Sequence, residues 1–234
     1  MALIVAHLPP GSQIAKCNVA RAYRTIPLDP SQWPSTVVWL DDNNVFIINT
    51  RNCFGLASAN GVWGLLADAL CNIFCVLGIG PKSKWVDDFI IFWLLVGALA
   101  DYNAKHALWA AQIHCHDGQQ WDHARLWYQG DLSVVDVPTE YDKDCTTTLL
   151  DLSGALPYLV EDASFAYADC DISTVSAAVQ VPWAIDKGTL FAFCATYMGI
   201  SWDLPSVCVG IPADKQVKYL AAILAFQQHQ VLVL

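Results

Sequence analysis

Residues Lys84-Trp85-Val86-Asp87-Asp88-Phe89-Ile90-Ile91-Phe92 set a short strand-like segment and a strongly apolar one on either side of adjacent aspartates. β-Branched and aromatic residues favour strands, and a polar break between two such runs reads as a hairpin turn. The turn is then the acidic pair itself. Charged side chains at a tight turn project together from one end of two strands, where they can converge on a cation instead of facing the core. An isolated Asp-Asp between strands is more often a solvated turn, so its meaning rests on what surrounds it.

The surroundings read as alternating strands and helices. Pro9-Pro10-Gly11-Ser12 is a turn, followed by a strand over Gln13 to Val19. Val37 to Leu40 and Val45 to Ile48 flank the tetrad Asp41-Asp42-Asn43-Asn44 as a second hairpin. From Ser58 to Leu77 the apolar positions Val62, Leu65, Leu66, Ala69, Leu70, Ile73, Phe74 and Leu77 recur at three and four, the period of an amphipathic helix. Ser58 or Asn60 could cap that helix and Gly78 could end it. Further on, the pattern predicts a short helix over Asp171 to Val179 and a loop from Pro182 to Gly188. Strands Phe191 to Ile200 and Val207 to Ile211 follow, joined by Asp203-Leu204-Pro205-Ser206, and then a helix over Asp214 to Gln228.

Charge is distributed unevenly. Residues 1–92 hold six basic and six acidic groups and residues 182–234 three of each, whereas residues 93–181 hold three basic and thirteen acidic groups. The middle carries the whole net charge of −10 and four of the six His, at 106, 114, 116 and 123. The nine Cys are odd in number, and the apolar run Ala2 to Ala6 is too short for a secretory signal. The expectation is a reduced protein in the cytoplasm or nucleus. The longest uncharged apolar run, Phe89 to Ala100, falls well short of the roughly 20 residues needed to cross a bilayer. No membrane partner is expected.

Four separated patches resemble, in the correct order, motifs of the reverse transcriptases of retrotransposons. Lys16-Cys17-Asn18-Val19-Ala20-Arg21-Ala22-Tyr23 resembles the first catalytic motif, an Asp followed four and five residues later by Ala and an aromatic. Phe54-Gly55-Leu56-Ala57-Ser58-Ala59 resembles the template-positioning motif before the palm helix. Trp85-Val86-Asp87-Asp88-Phe89 resembles the aromatic-x-Asp-Asp hairpin, and Tyr197-Met198-Gly199-Ile200-Ser201-Trp202-Asp203-Leu204 the primer-grip strand. The first two patches and the hairpin lie in residues 1–92 and the last in residues 161–226.

The resemblance implies an α+β, polymerase palm-like fold: an antiparallel sheet of three or four strands with helices on one face, interrupted by an acidic insertion. It implies RNA-directed DNA polymerase chemistry, an in-line phosphoryl transfer in which two Mg²⁺ ions activate the primer hydroxyl and stabilise the leaving pyrophosphate. By position, Asp87 would be the principal metal ligand and Asp88 its partner. Tyr23 would pack beneath the incoming sugar, Phe54 and Gly55 would lie along the substrate, and Lys187, in Pro182-Trp183-Ala184-Ile185-Asp186-Lys187-Gly188, would protonate the pyrophosphate. Template-primer and dNTP are the implied partners.

Three departures count against activity. Where the family places its first catalytic Asp, this chain has Asn18. A charge facing Mg²⁺ across about 4 Å is worth a few kcal/mol at an effective dielectric near 20, so a loss of about a thousandfold in rate or more is expected. The chain begins seventeen residues before Asn18 and ends soon after the primer-grip patch, which leaves no room for fingers and thumb and their basic clamps. Asp88 and Lys187 are ninety-nine residues apart, far more than the family's spacing.

The expected division is therefore palm over 1–92, an insertion of doubtful structure over 93–160, and palm again over 161–234, in a truncated, degenerate copy with weakened Mg²⁺ binding. A remnant acting only as an interaction module is the alternative. A third reading, a zinc protein, rests on His114-Cys115-His116-Asp117 and His123, which lack the paired halves of an established zinc site. The run Asp131 to Asp151 reads as a solvated loop.

Overall fold

The computed structural model describes residues 1–40, 45–115, 119–121, 125–129, 138–141, 148–154 and 164–230. In chain order these form α1 (Ala2–His7), β1 (Gln13–Asn18), two 3₁₀ turns (Ala22–Thr25 and Pro30–Thr36), β2 (Val37–Trp39), β3 (Phe46–Ile48), α2 (Ala59–Val76), β4 (Lys82–Trp85), β5 (Asp88–Trp93) and α3 (Val96–Cys115). They continue as β6 (Gln119–Trp121), β7 (Arg125–Gln129), β8 (Pro138–Tyr141), α4 (Asp169–Ala178), β9 (Thr189–Ala192), β10 (Cys194–Tyr197), β11 (Ile200–Asp203), β12 (Cys208–Gly210) and α5 (Ala213–Gln230). The fold is α+β, with its main sheet ordered β4-β5-β1-β9 and its recorded strand pairings antiparallel.

Strand β5 is the centre of the molecule. Phe89, Ile90, Ile91 and Phe92 are fully buried and Trp93 nearly so, which requires cover on both faces of the pleat. Across β1 the register pairs Gln13 with Trp93, Ala15 with Ile91 and Cys17 with Phe89 on one face, and Ile14 with Phe92, Lys16 with Ile90 and Asn18 with Asp88 on the other. Helices α2 and α4 cover the first face. Lys84 of β4, opposite Phe89, pairs with Asp68 of α2 at 3.1 Å, while Lys82, opposite Ile91, donates to Cys75 Sγ at 2.9 Å.

Helix α2 forms over the expected span but buries another face: Ala59, Trp63, Ala67, Leu70 and Phe74 make the buried stripe, whereas Val62, Leu65, Leu66, Ala69 and Leu77 of the predicted apolar face are exposed. It ends as the sequence implies. Gly78 takes a left-handed φ of 74°, its N–H donates to Cys75 O, and the Ile79 N–H donates to Phe74 O at 2.9 Å, the paired bonds of a Schellman motif. A Cβ at Gly78 would also meet the backbone nitrogen of Leu150 at 2.7 Å, so both φ and space demand glycine here. At the other end Ser58 is the N-cap residue but makes no side-chain cap bond, and Asn60 accepts a hydrogen bond from Tyr23 instead. Among the described residues α2 is also the one helix long and apolar enough to cross a bilayer.

Two further expectations change. The stretch Phe191 to Ile200, read as one strand, is β9 and β10 with a break at Phe193, and Met198-Gly199 turns the chain tightly into β11. Met198 and Gly199 have φ of 52° and 75°, the two positive values of a type I′ hairpin loop, which only a glycine-containing pair adopts readily. Second, part of the span assigned to an insertion is built into the core. Leu94, Leu99 and Tyr102 are buried, Asn103 clasps the backbone of Leu149 with bonds of 2.9 and 3.0 Å, and the Leu150 N–H donates to Gly78 O at 3.1 Å. Pro138–Tyr141, inside the run read as a solvated loop, pairs with β7. The tetrad Asp41 to Asn44, residues 131–137 and 142–147 of that run, and His116, Asp117 and His123 of the zinc reading lie outside the described residues, while Leu149 near the end of the run is buried.

Apolar surface is left open elsewhere. Every residue of the β2–β3 ladder is exposed, and so are Val217, Leu220, Ile223, Leu224 and Phe226 of α5.

Because Leu99 belongs to the common core, Leu99→Ala should lower unfolding stability by about 2–5 kcal/mol in urea titration. A change below about 0.5 kcal/mol, the size expected of a surface position, would show that α3 is not integral to the fold.

Candidate active site

The tip of the β4–β5 hairpin is a two-residue loop, Val86-Asp87, closed by the pair Trp85 and Asp88, so the turn falls one residue before the acidic pair expected to form it and Asp88 opens β5. Val86 sits at φ 57°, an outlier for a β-branched residue, so the tip is held by its surroundings and not by local preference. Three contacts hold it. The Trp63 indole N–H of α2 donates to Val86 O at 2.8 Å, the Val19 N–H donates to Asp87 O at 2.9 Å, and the Tyr197 hydroxyl donates to Asp88 O at 3.1 Å. Burial first, then the negative charge of Asp88, raises the Tyr197 hydroxyl pKa well above its ordinary value.

Asn18 lies directly across from Asp88 in the β1–β5 register and is buried. Its Nδ2 donates to Asp88 Oδ1 at 2.6 Å and to Asp87 Oδ2 at 3.4 Å. The amide faces two acceptors with its nitrogen, since its own carbonyl there would meet their lone pairs. Lys16, two residues earlier and so on the same face, brings Nζ to 3.6 Å from Asp88 Oδ1.

The other positions implied by the resemblance fall around this tip. Tyr23, in the turn after β1, is buried with its hydroxyl on Asn60 Oδ1, its ring 4.4 Å from that of Phe54 and 6.4 Å from that of Trp63. Burial and then the Asp87 charge raise its hydroxyl pKa. Phe54 is 81% exposed, and Gly55 follows at φ 94° with open space around it. The loop carrying Lys187 is tied to β1: the Ala184 N–H donates to Asn18 O at 2.7 Å, the Ala20 N–H donates to Pro182 O at 2.8 Å, and Trp183 bridges Val19. Lys187 itself is exposed, its N–H on Ala184 O.

Asn18, Asp87 and Asp88 are thus brought together, Tyr23 and Phe54 meet beside them, and Lys187 stands on an adjoining loop. Sequence reasoning missed Lys16, Trp63 and the role of the Tyr197 hydroxyl. Strand alternation could have found Lys16, because position i−2 of a strand shares the face of Asn18; the other two depend on tertiary packing.

Mg²⁺ takes hard oxygen donors, with carboxylates first among side chains. The tip offers two carboxylates, an amide that presents its donor and an ammonium. Among the described residues there is no group of three or more His, Cys, Asp and Glu arranged for a metal. This donor set does not fit a two-cation centre.

No protein-family model matches the chain, and no curated protein matches it. Among solved structures it is similar to a foamy viral protease-reverse transcriptase determined in complex with an RNA/DNA hybrid, at a TM-score of 0.50 and 10% identity. The match covers 93% of this chain and 19% of that one, so the chain spans about a fifth of the viral protein. The likeness is one of fold.

If Trp63 holds the strained tip, Trp63→Phe should cost about 1–3 kcal/mol by leaving the Val86 carbonyl without its donor, measured by thermal denaturation. A second expectation concerns Cys17, whose thiol is pushed up to about 12 by burial and then by the charge of Asp169. A raised folded pKa contributes stability that is present below the ordinary thiol value of 9.0 and is lost as pH rises towards 12. The denaturation midpoint of the unaltered protein should therefore fall more steeply between pH 9 and 12 than that of Cys17→Ala; parallel curves would contradict this.

Proposed function

We propose that the chain is a reverse transcriptase-like palm, an RNA-directed DNA polymerase homologue whose metal-dependent nucleotidyl transfer has been lost or reduced to a trace. One observation carries the reading. At the position where the resemblance calls for an aspartate, Asn18 faces Asp88 across the β1–β5 ladder and bonds to it at 2.6 Å. The position, the neighbouring hairpin and the fold likeness support a polymerase origin; the amide argues against turnover.

In-line phosphoryl transfer has little covalent work for a protein to do, so its rate rests on positioning and on stabilising charge. With one carboxylate replaced by an amide, the negative field that would gather divalent cations is weakened, and Mg²⁺ affinity should fall together with the rate. Template-primer and dNTP remain the proposed ligands, held weakly. Primer extension on an RNA template with Mg²⁺ or Mn²⁺ should give no product above background. Extension at about 1 s⁻¹ or faster, ordinary for a phosphoryl-transfer enzyme, would overturn the reading of Asn18.

The second reading, a non-catalytic interaction module, is favoured by the open apolar faces of β2–β3 and α5. Strong enhancement of a hydrophobic dye by the folded protein, together with no hybrid binding in fluorescence anisotropy, would favour it over the first.

A further inference from the structure

We infer that Lys16 is the built-in counter-ion of the acidic hairpin: its ammonium and the Asn18 amide together close the Asp87–Asp88 tip to divalent metal. The inference rests on the polymerase-type reading of that tip and deepens it. Loss of one carboxylate would leave a weak metal site; a cation supplied by the chain itself competes with the metal.

The geometry follows from the strand. Lys16 and Asn18 are two residues apart on β1 and share a face, opposite Ile90 and Asp88. Ile90 is fully buried, so the Lys16 stem starts beside an apolar partner, and only its end can reach a polar one. The Lys16 N–H donates to Thr189 Oγ1 at 3.0 Å, which fixes the backbone from which the side chain extends. Nζ then stands 3.6 Å from Asp88 Oδ1, the oxygen that also accepts the Asn18 amide at 2.6 Å. Both donors converge on one atom.

A divalent ion seeking that oxygen has to displace the amide and stand close to a positive charge. Like charges at such separations disfavour each other even where water screens them. Lys16 and Asp88 have side chains 23% and 27% exposed, so screening is partial. An ordinary surface ion pair would behave differently, contributing little and leaving metal affinity untouched. The two descriptions give opposite results when Lys16 is changed in a background with the third carboxylate restored.

The test is a cycle of the unaltered chain, Lys16→Met, Asn18→Asp and the double variant, with Lys16→Arg in the Asn18→Asp background as a charge-keeping control. Mn²⁺ alone is the probe. Its binding is read from the electron paramagnetic resonance signal of the free ion and, independently, from the shift of the thermal midpoint with Mn²⁺. A folded-state spectrum is taken for each variant by circular dichroism. The unaltered chain should bind more weakly than about 1 mM, and Asn18→Asp should improve on it only modestly. The double variant should bind at least about tenfold more tightly than Asn18→Asp, whereas the Arg control should not. If three unscreened carboxylates leave the double variant unfolded without metal, refolding on Mn²⁺ addition reads out the same affinity.

Equal affinity in Asn18→Asp and the double variant would overturn the counter-ion role of Lys16 while leaving the polymerase reading intact. Failure of the folded double variant to bind Mn²⁺ would overturn that reading itself, and the inference with it.

Discussion

The burial of strand β5 on both faces is the constraint that arranges everything else. Five consecutive apolar side chains, Phe89 to Trp93, leave no face for water, so the strand must lie inside a sheet with layers on either side. Strand β1 supplies one neighbour and β4 the other, α2 and α4 supply one layer, and the aromatic cluster of Trp93, Phe165, Phe191 and Tyr167 packs around the far end. The aspartates immediately before this run cannot enter the core. They are left at the mouth of the sheet, and β1 is drawn up beside them because its pairing with β5 ends at Asn18 and Asp88.

Much of this was legible because it is local. The two hairpins, the helical period of α2 and its glycine stop at Gly78 each follow from periodicity or from a turn residue with a required φ, whereas the face α2 buries, Trp63 and Ala67 with Leu70 and Phe74, is set by what it packs against. The meeting of Asn18 with the acidic pair was legible only through the ordered motifs, since nothing in spacing alone pairs residue 18 with residue 88. Other features were hidden for identifiable reasons. The acidic balance of residues 93–181 obscured the apolar positions Leu99 and Tyr102, which pack into the core although their segment looks foreign by charge. The turn at Met198-Gly199 was masked by the apolar residues on both sides of it. Lys16 is hidden because a lysine in a strand reads as a solvated surface residue, and its approach to Asp88 arises only when β1 pairs with a strand far along the chain.

An amide at Asn18 suits the hairpin tip it faces. The Asn18 side chain donates to both aspartates, and the bond to Asp88, at 2.6 Å, is the short charge-assisted one, that to Asp87 reaching 3.4 Å. The Asn18 amide and the Lys16 ammonium offset part of the repulsion between the two adjacent carboxylates. Asn18 is thereby a structural junction, joining β1, β5 and the loop at Ala184 through the main chain and side chain of one residue.

The left-handed Val86 couples the acidic tip to a distant part of the chain. Its conformation is unfavourable alone and is held by an indole from α2, a helix whose stripe must first dock on the sheet. The conformation of the acidic tip therefore depends on that docking, and the exchange of its amides with solvent should report the opening of the Trp63–Val86 contact.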